Sequence, residues 1–186
     1  MGQTILPQSA PRYVVITALG TDRPGIVNTI TRHVSNCDCN IEDSRLAMLG
    51  EEFTFIMLLS GSPEAITRLE ATLPLRGAEL ALLIVMKRTS SVTARALPIT
   101  VRVQVDVTDS PHIIERFTAL FDSQRMSIAE LISRTSPAND THPSLLFISI
   151  TTQGPEHSDI AAITQSFNKL CTELNAQGTI STIKHH

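Results

Sequence analysis

The sequence predicts an α+β chain of two βαββαβ units in tandem, and three observations carry that expectation. Its 186 residues suffice for one ordinary domain or two small ones. Thr21-Asp22-Arg23-Pro24 lies on Thr108-Asp109-Ser110-Pro111 at an offset of 87 residues, 108 minus 21. Within each copy the spacing of apolar residues shifts from near 2 to near 3.6 and back, as strands give way to helices. At the same offset Ile26 meets Ile113, Thr31 meets Thr118 and Ile41 meets Ile128, while Val14, Ile16 and Ala18 fall on Val101, Val103 and Val105. A register held this long without a gap indicates two copies of one supersecondary unit.

The first unit opens with a strand at Tyr13 to Leu19, followed by a helix from Pro24 to about Asn36. Asp22 is placed to cap that helix, with Pro24 at an early helical position where its missing N–H costs nothing. Strands follow at Ile41 to Met48 and Phe53 to Ser60, joined by a tight turn at Gly50-Glu51. A helix at Pro63 to Leu73 and a strand at Leu80 to Lys87 complete the unit.

The second unit repeats the order. Ile99, Val101, Val103, Val105 and Val107 alternate as a strand, and Ile113, Phe117, Leu120 and Phe121 mark one helix face. Ile128 to Arg134 and Leu145 to Thr151 supply the middle strands, joined by the polar loop Ser136 to Pro143. A helix bearing Ile160, Ile163, Phe167, Leu170 and Leu174 precedes a last strand at Thr179 to Lys184. The expected division is a tail at 1–12, a first domain at 13–88, a linker at 89–98 and a second domain at 99–184. Each domain takes the ferredoxin-like form, an antiparallel four-stranded sheet with two helices on one face.

One asymmetry bears on assembly. An antiparallel sheet with one wet face should alternate, yet Phe53 to Leu59 and Leu80 to Met86 are apolar at almost every position. The outer side of the first sheet is therefore expected to be covered by the other copy or by another chain. Self-association is the economical form of that cover.

Composition removes several classes of function. No apolar run approaches the roughly 18 residues of a membrane span, and a mean hydropathy of +0.10 belongs to a folding chain. The net charge of −3, with only Lys87, Lys169 and Lys184 as lysines, argues against binding nucleic acid through its phosphates. Aromatic residues at 4% with no Trp remove the stacking platforms of a single-strand or ferredoxin-like RNA binder. Three cysteines and no secretory pattern at Met1 to Arg12 suggest a reduced, cytoplasmic protein.

Among the motifs, Thr21-Asp22-Arg23-Pro24-Gly25 is the most informative. Gly25 is a poor residue for a first helical turn but permits close approach to the backbone, and N–H groups near Gly25, Ile26 and Val27 can hold a small carboxylate. Asp109, Ser110 and His112 invite a catalytic reading, yet neighbours at one helix start do not form a nucleophile, base and orienter; Ser110 reads better as a cap. His33, Cys37 and Cys39 match no tetrahedral zinc spacing, so no metal is expected. Arg88, Arg95 and Arg102 with Lys87 form a modest basic stretch around the linker, and His185-His186 is set aside as a tail.

The run Leu19-Gly20-Thr21-Asp22-Arg23-Pro24-Gly25-Ile26, within its βαββαβ order, resembles the signature of the ACT domain, a regulatory module that often senses amino acids. The segments Cys39 to Met48, Gly50 to Met57, Leu83 to Thr89 and Leu170 to Gly178 narrow the resemblance to a tandem-ACT family of repressors of glycine cleavage genes. That resemblance implies a non-enzymatic regulator without a DNA-binding domain of its own, which holds a LysR-type activator until glycine relieves the hold. It also implies a ligand site at Asp22, Arg23, Pro24, Gly25, Ile26 and Val27, with Asn40, Glu42 and Asp43 as polar residues at the start of the next strand; Asn40, Asp43 or Asp22 would receive the glycine ammonium. His112 in place of Gly and Ser110 in place of Arg set the second copy apart, and an imidazole there is expected to obstruct the same approach. The alternative is an amino-acid-sensing module that regulates an enzyme partner.

Overall fold

The computed structural model describes residues 10–90, 99–138 and 143–184. The chain divides into two compact units, one on each side of 91–98. The first comprises β1 (Arg12–Thr21), α1 (Ile26–Asn36), β2 (Asn40–Leu49), β3 (Glu52–Gly61), α2 (Pro63–Glu79) and β4 (Leu83–Thr89). The second comprises β5 (Ile99–Thr108), α3 (Ile113–Ser123), β6 (Ser127–Ser136), β7 (Leu145–Gly154), α4 (Ile160–Glu173) and β8 (Gln177–Lys184). Each unit is a four-stranded antiparallel sheet, ordered β2-β3-β1-β4 in one and β6-β7-β5-β8 in the other. The α+β, ferredoxin-like architecture read from the periodicity is the architecture observed. Most of the linker at 89–98, Arg95 included, the middle of the loop between β6 and β7, and His185-His186 lie outside the described residues.

The cores form where period-2 strands meet period-3.6 helices. Val14, Ile16 and Ala18 of β1 face Ile26, Ile30 and Val34 of α1 and Ile66, Leu69 and Leu73 of α2, all buried. In the second unit Val101, Val103 and Val105 do the same against Phe117, Phe121 and Phe167, with the Phe117 and Phe167 rings 6.0 Å apart. Both sheets carry a bulge at the start of the second strand, between Ile41 and Asp43 and between Ile128 and Glu130. The extra residue re-aims the remainder of the strand, so that Ile41 faces the helices and Asp43 the opposite side.

Three expectations are corrected. Helix α2 runs past Leu73 to Glu79, through Pro74. Leu73 and Gly77 keep its apolar side on the sheet, and Gly77 lies where a Cβ would come within 2.3 Å of Ile84 Cγ1. Consequently Leu80 is the helix C-cap, Ala81 turns with φ 55°, and the last strand begins at Leu83 rather than Leu80. The strands expected to be apolar on both faces do alternate by burial. Phe53, Phe55, Met57 and Leu59 are buried while Ile56 is 42% exposed, and Val85 and Leu83 are 54% and 60% exposed. The outer face of the first sheet is thus apolar in composition, with Val15, Leu58, Ile56 and Val85 presented to solvent or half-buried.

The third correction concerns the helix starts. Helix α1 begins at Ile26, its N-cap is Gly25, and no side chain caps it. Helix α3 begins at Ile113 after His112 in the same way, so neither Asp22 nor Ser110 acts as a cap. The reason is backbone geometry: residues 25 and 112 have φ 85° and 69°, which ends the preceding turn and delays the helix.

Candidate functional site

The turn between β1 and α1 has a complete local explanation. Arg23 C=O accepts from Ile26 N–H at 3.1 Å, Pro24 sits second, and Gly25 third with φ 85° and ψ −2°. Those are the residues and angles of a type II turn, whose third position needs a positive φ. The turn is anchored on one side by Asp22 N–H donating to Glu51 C=O at 3.4 Å, and on the other by the Arg23 guanidinium donating to Leu80 C=O. Thr29 closes it from the helix, its hydroxyl donating to Gly25 C=O at 2.9 Å.

Among the expected site residues, Arg23, Pro24, Gly25 and Ile26 come together around a cleft of about 320 Å³. Asn28, Thr29 and Leu80 complete its wall, and sequence spacing does not single them out. Asn28 and Thr29 follow from helical geometry, one turn beyond Gly25; Leu80 was expected in a strand. A Cβ on Gly25 would meet nothing within 4 Å, so the space beside it is open. The Ile26 N–H, expected to be available for a carboxylate, is already taken by Arg23 C=O. Val27 packs half-buried against the core.

Asn40 and Asp43 do not join this cleft within one unit. Asn40 pairs through Ser60 with Tyr13 and Asp43 through Leu58 with Val15, whereas the turn follows Thr21. Eight residues of strand from Tyr13 to Thr21 put Asn40 about 26 Å from the turn, at roughly 3.3 Å per residue. Asn40 Nδ2 donates to Glu42 Oε1 at 3.0 Å, and Ser60 Oγ donates to the same carboxylate oxygen. Those two bonds hold the Glu42 carboxyl below its ordinary range. Asp43 accepts from Ser44 N–H at 2.8 Å and from Arg45 Nη1 at 2.5 Å, on the outer sheet face.

In the second unit the corresponding turn borders a cleft of about 400 Å³ that includes Asp109, Ser110, His112, Ser133 and Thr135. His112 is part of its wall. Its imidazole swings to Glu115, Nδ1 to Oε2 at 2.9 Å, with the side chain 78% exposed. His33, Cys37 and Cys39 lie along the core instead of a metal site: His33 Nε2 meets Thr72 Oγ1 at 2.9 Å, and both cysteines are buried and free. No cluster of metal-ligating side chains occurs among the described residues. No helix among them is long and apolar enough to cross a membrane.

This geometry, a ferredoxin-like sheet with a glycine-bearing turn between first strand and first helix, can be set against known proteins. The ACT domain family matches residues 12–87. The chain is 66% identical over 177 residues, 95% of its length and 93% of theirs, to the glycine cleavage system transcriptional repressors of Escherichia coli K12 and Shigella flexneri. It belongs to the family of glycine cleavage system transcriptional repressors. A crystal structure of a putative member of that family is 40% identical, with a TM-score of 0.73 over 95% of this chain and all of the other. A protein of unknown function from Galdieria sulphuraria, 24% identical, shares the fold with a TM-score of 0.75 over 94% of this chain. The tandem arrangement is therefore a property of the family and not of this chain alone.

Proposed function

We propose that the chain is a non-enzymatic, cytoplasmic negative regulator of glycine cleavage gene transcription, that it acts by binding a LysR-type activator, and that glycine relieves the repression. The observation carrying this reading is the 66% identity over 95% of the chain to repressors of that system. A net charge of −3 agrees with control through a protein partner rather than through DNA phosphates. The working domains are 13–88 and 99–184.

The glycine site is assigned to the first unit, at Asp22, Arg23, Pro24, Gly25, Ile26 and Val27. Asn40 and Asp43 join it from a second copy. Strand β2 is an edge strand with nearly every residue exposed, so its outer N–H and C=O groups are open to pairing. Antiparallel pairing of two such edges sets Asn40 of one copy beside Leu49 of the other, at the sheet end that carries the turn. Such pairing in the expected homo-oligomer brings Asn40 from about 26 Å to about 14 Å from the turn, three strand spacings from Thr21 across Leu49 and Glu52.

Capture of the activator from cytoplasmic extract, with and without glycine, tests the function. Retention that glycine abolishes supports it; retention indifferent to glycine removes the effector. Calorimetric titration of glycine into wild type, Gly25→Asn and Asn40→Ala tests the site. Unchanged binding by both variants places glycine elsewhere.

A further inference from the structure

Between α1 and α2 of the first unit lies a cleft of about 380 Å³ lined by Thr29, Arg32, His33, Asn36 and Arg76. Arg32 and Arg76 are permanent cations, Asn36 offers amide donors, and no acidic side chain lines the cleft, although Glu79 pairs with Arg76. Helix α1 carries no acidic residue at all. His33 Nε2–H donates to Thr72 Oγ1, whose own hydrogen goes to Arg68 C=O, so Nδ1 becomes a second donor only when the ring is protonated. Arg32 makes no ion pair among the described residues, and Arg76 pairs only with Glu79, one turn on along its own helix, at 2.5 Å.

The fold does not ask for this cluster. At the 87-residue offset Arg32 and His33 correspond to Ala119 and Leu120. The two second helices align by their C-caps, Leu80 with Leu174, an offset of 94 (174 minus 80), so Arg76 corresponds to Leu170. The second unit thus closes the same helix pair with Leu120 packed on its core and Leu170 buried. Gathering like charges in one cleft costs stability unless something of opposite sign enters it. Burial first and the nearby Arg76 charge second hold the His33 pKa below its usual value, against the opposing pull of Glu79.

We propose that this cleft binds a small, multiply charged oxyanion, a phosphate or phosphate ester, through the Arg32 and Arg76 guanidiniums with Asn36 and protonated His33. Guanidinium forks match the paired oxygens of a tetrahedral anion, and the extra donors match the oxygens that remain. An amino-acid zwitterion fits less well, because Glu79, the carboxylate whose charge reaches His33, is already paired with Arg76. The cleft adjoins the one assigned to glycine, sharing Thr29 with it, and its other lining residues are different.

The test follows the His33 ring by NMR in the full-length protein, at constant ionic strength, as inorganic phosphate, glycerol 3-phosphate, glycine or chloride is added. Phosphate and the ester should shift His33 saturably and raise its pKa, since a bound anion offsets the Arg76 charge. Glycine and chloride should not. Arg32→Ala, at an exposed position and so compatible with folding, should weaken binding by about tenfold or more, and Arg32→Lys should recover only part of it. Glu79→Gln should tighten binding by releasing Arg76, and Arg116→Ala in the second unit should leave it unchanged. Tighter binding of glycerol 3-phosphate than of phosphate identifies an ester as the ligand, and equal binding identifies the free anion. A His33 resonance unmoved by both phosphates, or moved equally by chloride, or a shift unaltered in Arg32→Ala, overturns the proposal.

Discussion

Gly25 and His112 hold the same place in the two units, each the residue before a helix and each in left-handed backbone, with φ 85° and 69°. One has no side chain to strain; the other bears an imidazole there. The turn thus keeps its shape in both units while its chemistry differs, which separates the conformational role of Gly25 from any role in binding.

Stability should divide accordingly. Left-handed backbone costs an L-residue roughly 1–2 kcal/mol, and a β-branched residue tolerates it least. Gly25→Val should therefore destabilise the first unit by at least about 2 kcal/mol, which makes it unsuitable as a clean binding variant. Gly25→Asn should cost about 1 kcal/mol or less. His112→Gly should be neutral or stabilising by up to about 1 kcal/mol. Urea denaturation of the three variants checks the order; a Gly25→Val protein as stable as wild type would contradict the turn assignment.

Glu70 and Arg88 tie α2 to β4 through two bonds, Arg88 Nε to Oε1 at 2.7 Å and Nη2 to Oε2 at 2.6 Å. The Arg88 bond holds the Glu70 carboxyl below its usual value of 4.5. A carboxylate with a depressed folded pKa contributes stability above its unfolded pKa and loses it as pH falls through the folded one. Thermal melts of Arg88→Ala should therefore lie below wild type near neutrality and converge with it as pH falls below about 4. A difference independent of pH would assign Arg88 a packing role instead.

Burial pushes the Cys39 thiol up to about 11, and Cys171 is raised by burial as well. Since the thiolate is the reacting species, Cys39 and Cys171 should resist iodoacetamide at neutral pH until the chain unfolds. Mass spectrometry of native and urea-unfolded protein checks this. Rapid native modification at Cys39 would show that the first core opens readily.

Ile56 and Val85 stand in one cross-strand row on the outer face of the first sheet, joined through Thr17. Ile56→Glu combined with Val85→Glu should leave the melting temperature nearly unchanged, since both residues are more than 40% exposed in the single chain. If this face takes part in self-association, the same pair should lower the mass found by light scattering. A pair that melts far below wild type, with mass unchanged, would mean the face is part of a folded core.

The fold was legible because duplication and periodicity speak through many residues at once. Val101, Val103 and Val105 alternate so cleanly that only a strand fits them, and Ile26, Ile30 and Val34 define one helix face. The end of α2 was not legible. All four helices terminate at a left-handed residue, yet these are Asp38, Ala81, Arg125 and Asn175, with no glycine to announce the stop. The expected end at Leu73 came too soon, because packing of Leu73 and Gly77 on the sheet carries the helix through Pro74 against local propensity. At the candidate site Pro24-Gly25 is the pair a type II turn needs, but the sequence reading places both in the first turn of the helix. The distance of Asn40 from the turn was not legible, since that depends on α1 carrying the chain back along the length of β1.

The two outer sheet faces differ most along their central strands. Around β1 the first presents Val15, Ile56, Leu58 and Val85, whereas along β5 the second presents Arg102, Gln104 and Asp106, with Ile132, Leu145, Phe147 and Ile183 around them. An apolar partner can therefore lie flat across the middle of the first face, while on the second it has to accommodate a charged ridge. Two chains meeting through the first face about a two-fold axis would use that face up on both. An activator seated on it would be counted one for one.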